Sequence, residues 1–148
     1  MRSPKEIIEK LQMEVYEYSS EEVKKVVDRY HREGMLFETK VVGTSFNGGQ
    51  EILKRLDREK RKDRYRVVLS RERGNEEDPN AVAVWLENEK KKRVRLGYIN
   101  KNLAKLFVFL GNMGVSVGVE GYHVSGGGGY RRGMVVFYRL KVRREVKK

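Results

Sequence analysis

The stretch Arg71-Glu72-Arg73-Gly74-Asn75-Glu76-Glu77-Asp78-Pro79-Asn80 gathers guanidiniums, amides and carboxylates more densely than a connection needs. Arg71 and Arg73 are candidate anion contacts, because a guanidinium forks onto phosphate or carboxylate oxygens. Asp78 has two readings. It caps backbone N–H groups in its own turn, or it accepts a hydrogen bond from a neutral hydroxyl donor while repelling anions from that spot. Asn75 divides in the same way between holding the turn and offering an amide to a ligand.

Catalytic chemistry is the rival use of such residues. Glu76-Glu77-Asp78 could hold Mg²⁺, and Glu89 with Lys91 has the acid-then-lysine spacing of some metal-dependent nucleases. Yet Glu89 falls on a hairpin tip that nothing shields from water. His31 and His123 lie far apart in sequence on different elements, no Gly-Lys-Ser/Thr phosphate loop is present, and the chain has no cysteine. The expectation is therefore a binding protein, with no catalytic residue, no metal site and no cofactor.

Positioning falls to the flanking runs. Tyr65, Val67 and Leu69 share one face before the loop, as do Val82, Val84 and Leu86 after it, so buried strands hold both its ends. Gly74 is free to enter positive φ and Pro79 fixes its own, which predicts a tight turn. Upstream, Ser3-Pro4-Lys5-Glu6 opens a helix with the stripe Ile8, Leu11, Val15 and Tyr18. A second helix starts at Ser19 or Ser20, packs through Val23, Val26, Val27 and Tyr30, and ends near Gly34. Residues 1–36 are read as a helical hairpin extension, a dimerisation or docking element, and residues 37–148 as the main domain.

From Phe37 the period becomes that of a strand, with Phe37, Thr39 and Val41 on one face. Asn47-Gly48-Gly49 turns the chain, Ile52, Leu53 and Leu56 predict a short helix, and the charge run from Asp57 to Arg66 reads as its solvated end and a loop. After Val82 to Glu87 comes a charged tip. Beyond it Val94, Leu96 and Tyr98 are expected on one strand face, with Arg93 and Arg95 on the other. Asn100 should cap a helix carrying Leu103, Leu106, Phe107 and Leu110. Val115, Val117 and Val119 make a strand, Ser125 to Gly129 a mobile glycine loop, and Met134 to about Val142 the last strand. The loop's basic tip, Tyr130, Arg131 and Arg132, suits a clamp on a polyanion. These elements alone give a small, mostly antiparallel α+β domain.

The net charge is +12, and residues 1–36 carry seven Lys and Arg against eight Asp and Glu, so all of the excess lies in the part holding the loop. A domain this basic attracts polyanions through phosphate contacts and counterion release, which makes nucleic acid the default partner. No transmembrane-length apolar run, signal peptide or basic amphipathic helix with bulky apolar anchors is evident, so a membrane partner is not expected and a cytoplasmic location, nucleoid-associated if the source is prokaryotic, is.

Arg71-Glu72, then Asn75, Asp78, Asn80 and the run Ala81-Val82-Ala83-Val84, resemble the signature loop of the HIRAN domain, a DNA-end-binding domain found at the N-terminus of helicase-like transcription factors. Val42-Gly43 followed by Phe46, and Gly97-Tyr98-Ile99 followed by Leu103-Ala104, are similar to further parts of the pattern. The resemblance covers residues 37 to about 142. It implies a six-stranded, partly open, OB-like barrel with inserted helices, here preceded by the helical hairpin. It also implies that Asp78 contacts a 3′-hydroxyl, with Phe46 and Tyr98 flanking the bound end, and a stacked base contributes ~1–3 kcal/mol. Arg71, Arg73, Asn75, Asn80, Lys101, Arg131 and Arg132 complete the expected nucleic-acid contacts. Ser45 and Glu77 depart from the arginine and tyrosine of eukaryotic members, and Arg73 stands where the family usually has proline. The implied function is binding of single-stranded DNA, preferentially at free 3′-hydroxyl ends, in support of a helicase or nuclease partner. RNA as the ligand, a metal-dependent nuclease, and a protein-docking adaptor with only non-specific nucleic-acid affinity remain the alternatives.

Overall fold

The computed structural model describes residues 4–14, 17–44, 48–59, 64–127 and 130–144. Helices α1 (Pro4–Glu14) and α2 (Ser20–Arg32) lead into strand β1 (Phe37–Val42) and helix α3 (Gly49–Arg58). Strands β2 (Arg66–Arg71), β3 (Val82–Glu87) and β4 (Arg93–Ile99) follow, then helix α4 (Lys101–Asn112) and the long hairpin of β5 (Val115–Gly127) and β6 (Tyr130–Val142). The strands form one antiparallel six-stranded sheet in the order β2-β3-β4-β1-β6-β5. The sheet curls but does not close. Its edge strands β2 and β5 face each other across a cleft of about 610 Å³ lined by residues 65–69, Val117 and residues 119–122. The fold is thus mainly β with helices attached, as the sequence implies.

Alternation places the apolar side of each strand inward. Phe37 and Val41 of β1, Val82, Val84 and Leu86 of β3, and Met134, Val136, Tyr138 and Leu140 of β6 are all buried. Leu53 and Leu56 of α3 and Leu103, Leu106, Phe107 and Leu110 of α4 close over them. Burying each such side chain contributes about 1.5–3 kcal/mol. Tyr138 is the aromatic centre, stacked on Phe37 at 5.6 Å and edge-on to Phe107 at 5.1 Å between centroids.

The N-terminal helices share this core. Ser19 caps α2 and Glu22 reaches back to the Ser19 N–H, a complete capping box. Val23 and Val27 are fully buried where α2 packs against β6, and Tyr30 meets Phe37 edge-on at 5.9 Å. Ile8 and Leu11 of α1 are buried where that helix lies against β1 and α4. Val15 of the predicted stripe lies outside the described residues.

The glycine-rich segment differs from the expectation of a mobile loop. Ser125, Gly126 and Gly127 belong to β5, and β6 begins at Tyr130, four residues before Met134. Gly126 takes φ 83° at an irregularity in the ladder, where a Cβ would meet the Arg131 carbonyl oxygen. Glycine there serves a bulged strand rather than freedom of the chain. Gly128 and Gly129 lie outside the described residues.

Candidate nucleic-acid interface

The loop between β2 and β3 is held closed by its own side chains. Asn75 Oδ1 accepts hydrogen bonds from the N–H groups of Glu77 and Asp78, each at 3.0 Å. Asp78 Oδ1 accepts from the Asn80 N–H at 3.0 Å, and Arg71 Nε donates to the Pro79 carbonyl at 3.2 Å. Backbone bonds from Glu72 N–H to Ala81 O (2.8 Å) and from Ala81 N–H to Asp78 O (3.0 Å) complete the closure. Asn75, Asp78 and Arg71 are therefore all turn-holding residues. Each also keeps capacity: among the described residues no partner is found for Asp78 Oδ2, for the Asn75 amide nitrogen or for the Arg71 Nη atoms. Arg73 is exposed and Asn80 half-buried. Gly74 does not use the positive φ its residue type allows, and a Cβ on it would meet nothing within 4 Å. The turn is set by Asn75 and Asp78 instead.

Tyr98 stands beside this loop. Ser70, Ala83 and Tyr98 are opposite one another across β2, β3 and β4, and Tyr98 in turn faces Val42 of β1. A bulge between Val84 and Trp85 inverts the alternation of β4, so Arg95 shares the face of Tyr98. That corrects the expected separation of Tyr98 from Arg95, and it moves Val94 off the Tyr98 face to pair with buried Leu86, although Val94 itself is 41 % exposed. Arg95 Nη1 donates to Tyr98 Oη at 2.9 Å, its guanidinium carbon lies 5.3 Å from the ring centroid, and Glu72 Oε2 is 3.8 Å from the same nitrogen. The Glu72 carboxylate is the main cause pushing the Tyr98 phenol above its ordinary pKa, with burial adding to it and Arg95 opposing. Glu72 Oε1 is itself buried and has no well-formed hydrogen bond among the described residues.

The remaining predicted contacts are more dispersed. Lys101 is exposed at the start of α4, two residues beyond Ile99, where Asn100 Oδ1 caps the N–H groups of Asn102 (2.9 Å) and Leu103 (3.4 Å). Arg132 is not on a mobile clamp. Its backbone exchanges hydrogen bonds with the Gln50 side chain at 2.8 and 2.9 Å, and its Nε donates to Asp57 Oδ2 at 3.0 Å, which ties β6 to α3. Arg131 is exposed on β6. Phe46 and Ser45 lie outside the described residues.

Glu72 has no role in the sequence pattern alone, and strict alternation along β4 places Arg95 on the opposite face from Tyr98, where the structure does not put it. The Glu72 signal was its place inside the loop motif. The Arg95 signal was hidden, since one bulged residue leaves no mark on composition.

Taken together, a curled antiparallel sheet presenting a rigid polar loop beside an aromatic ring and cations defines a basic ligand-binding β-domain. The HIRAN domain family matches residues 35–141, and the chain belongs to that family. No curated protein and no solved structure matches. The HIRAN domain is a DNA-binding domain rather than a catalytic one, so the chain carries a DNA-binding domain. Among the described residues no helix is long and apolar enough to cross a membrane.

Proposed function

We propose that the chain binds single-stranded DNA, preferentially at a free 3′-hydroxyl end, through the 71–80 loop, Tyr98 and the cations around them. The observation that carries this reading is Asp78: one carboxylate oxygen fixes the turn, and among the described residues the other remains an unused acceptor on the loop whose Glu72 reaches Arg95 and Tyr98. A terminal hydroxyl donates to such an oxygen, whereas a terminal phosphate is repelled by it. Arg71, Arg73, Asn75, Asn80 and Lys101 then hold the terminal sugar and the phosphates that precede it, and Tyr98, with Phe46, flanks the end. Arg131 and Arg132 serve a more distant backbone contact from β6.

Fluorescence anisotropy on matched oligonucleotides with a 3′-hydroxyl, a 3′-phosphate or no free end, at two salt concentrations, tests this. The 3′-hydroxyl form should bind tightest at both salts. Equal affinity for all three would leave only non-specific phosphate binding.

The nuclease reading is less well supported by the geometry. Glu89 faces Arg64 at 3.9 Å and Lys91 faces Glu87 at 3.7 Å, so the acid and the lysine of that spacing are turned to other partners. Processing of the bound end would fall to a helicase or nuclease partner. Residues 1–36 are read as an extension of the 37–148 domain. Since its apolar residues Val23 and Val27 are covered by β6, any docking or self-association would use its polar outer side.

A further inference from the structure

The outward face of β2, β3 and β4 runs from the 71–80 loop to the turn at residues 88–92, and the strand register fixes its rows. Ser70, Ala83 and Tyr98 lie nearest the loop; Val68, Trp85 and Arg95 come next; Arg66, Glu87 and Arg93 end it. From end to end the six residues of β3, Val82 to Glu87, span roughly 17 Å at about 3.3 Å per step.

The far row is a cationic end built on one buried acid. Glu87 is 2 % exposed, yet its Oε1 accepts from Arg66 Nη2 at 2.6 Å and its Oε2 from Arg93 Nε at 2.6 Å, with Lys91 Nζ 3.7 Å from Oε1. One negative charge thus anchors three positive ones. The side chains of Arg66 and Arg93 remain 62 % and 46 % exposed, so the surplus charge faces solvent. Neutralising a buried carboxylate needs one cation, and an apolar residue would remove the need altogether.

The adjoining turn adds to this. Asn88 Oδ1 accepts from the N–H groups of Lys90 (2.9 Å) and Lys92 (3.0 Å), while the Asn88 N–H donates to the Lys92 carbonyl at 3.0 Å. Lys91 adopts φ 65°, alone among the described non-glycine residues in the left-handed region. Lysine tolerates that conformation poorly compared with glycine or asparagine. The backbone of the turn is thus fixed, and it leaves Lys90, Lys91 and Lys92 exposed.

Trp85, the single tryptophan of the chain, stands midway. It is half-buried on the outward face with Arg95 opposite it, where a solvated sheet would carry a polar residue. An indole beside a guanidinium, between a ring at one end and a cationic row at the other, is the arrangement of stacking platform and charged groove that single-stranded nucleic acid uses.

We infer that the outward face of β2, β3 and β4 is a second nucleic-acid contact, on which Trp85 stacks a base and Arg66, Lys90, Lys92 and Arg93 hold the phosphodiester backbone of a single strand after it leaves the loop. The direction of the strand rests on the end-binding reading; the contact itself does not. Because the cations lie roughly 17 Å from the loop, an oligonucleotide of about three residues engages the loop alone and one of about twelve engages both.

Trp85 emission in the full chain supplies the test. A single strand of about twelve nucleotides should quench and shift it, and should bind roughly tenfold or more tighter than a strand of about three, consistent with one added stacked base. A blunt duplex keeps its internal bases stacked and exposes only its terminal pairs, so it should quench the emission far less than the single strand. In Lys90→Gln/Lys92→Gln, which spares every partner of Glu87 that touches it within 3 Å, the short strand should bind as before. The long strand should lose most of its advantage, with the slope of log K against log salt reduced by about 1.4. Unchanged Trp85 emission at saturation with the long strand, equal affinity for both lengths, or equal quenching by the blunt duplex would each overturn the inference. A quench that ignores 3′-phosphate would sink the end-binding reading and leave this one standing; an end preference without a quench would do the reverse.

Discussion

Arg95 donates a hydrogen bond to the Tyr98 hydroxyl at 2.9 Å while its guanidinium lies within cation–π range of the same ring. Glu72 holds that guanidinium from the loop side. The ring proposed to flank a bound end is thereby held by its hydroxyl, and Glu72 links its guanidinium partner to the loop.

Removing the ring and removing only its hydroxyl should therefore differ. Tyr98→Ala loses the stacking surface and should weaken binding of a 3′-hydroxyl oligonucleotide by about 1–3 kcal/mol. Tyr98→Phe keeps the surface and frees Arg95 only from one bond, so the loss should stay near ~1 kcal/mol. Anisotropy titrations of both variants check this.

Gly97 decides how closely β1 and β4 approach. A Cβ there would lie 2.3 Å from the Val42 carbonyl oxygen and 2.9 Å from Val41 Cγ1, and backbone cannot swing aside as a flexible side chain can. Gly97→Ala should cost about 1–3 kcal/mol in urea unfolding, the range for overpacking, and should disturb Tyr98, which pairs with Val42. Gly74→Ala is the control. Nothing opposes its Cβ and its φ is ordinary, so it should be neutral or stabilise by about 0.4–1 kcal/mol by restricting the unfolded chain.

These two glycines show where the sequence was legible. The apolar periods of β1, β3, α2 and α4, the start of α2 at Ser20, the Asn100 cap and the loop between β2 and β3 follow from local rules, and each is found where those rules put it; the cap read at Ser3 lies outside the described residues. What local rules did not carry was the β4 bulge, which put Arg95 beside Tyr98, and the extension of β5 to Gly127 and of β6 back to Tyr130. Both depend on register shifts against the neighbouring strand, which local rules do not specify. Gly74 invited a conformational explanation and Gly97 did not, although only Gly97 is sterically required.

The two roles of Asp78 can be separated by substitution. Asp78→Asn keeps an oxygen able to accept from the Asn80 N–H but removes the charge, so the fold should be retained while the preference for 3′-hydroxyl over 3′-phosphate narrows. Asp78→Ala removes both and should also lower stability by about 1 kcal/mol, as for other lost side-chain caps. Thermal unfolding and the paired anisotropy titrations together read the split. An unchanged preference in Asp78→Asn would mean the carboxylate serves the turn alone.

Glu87 gives the acid limb of stability a defined sign. The Arg93 hydrogen bond, followed by Arg66, holds its carboxyl below the ordinary 4.5 against the opposing effect of burial. The folded state therefore binds the proton less readily than the unfolded one. The stabilisation is present in full above about pH 4.5 and is lost as pH falls through the lower folded value. Urea midpoints at neutral pH and in steps below pH 4.5 should fall in the native chain, and Glu87→Gln should flatten that part of the profile while lowering stability at neutral pH, since Arg66 and Arg93 lose their shared counter-charge.

Tyr138 makes the opposite case, a polar group whose removal should help. It is 1 % exposed, and its hydroxyl has no hydrogen-bond partner among the described residues. Burial holds the phenol far above its ordinary pKa, so the group stays neutral and protonated throughout the physiological range. An unsatisfied buried hydroxyl costs about 1–3 kcal/mol of lost hydration. Tyr138→Phe removes that cost and keeps the ring that stacks on Phe37 and meets Phe107. Against it stands only the small cavity left by one oxygen. The variant should thus be neutral or more stable by about 1 kcal/mol in urea, with DNA affinity unchanged, and a clear destabilisation would mean that the hydroxyl has a partner, such as a buried water, in solution.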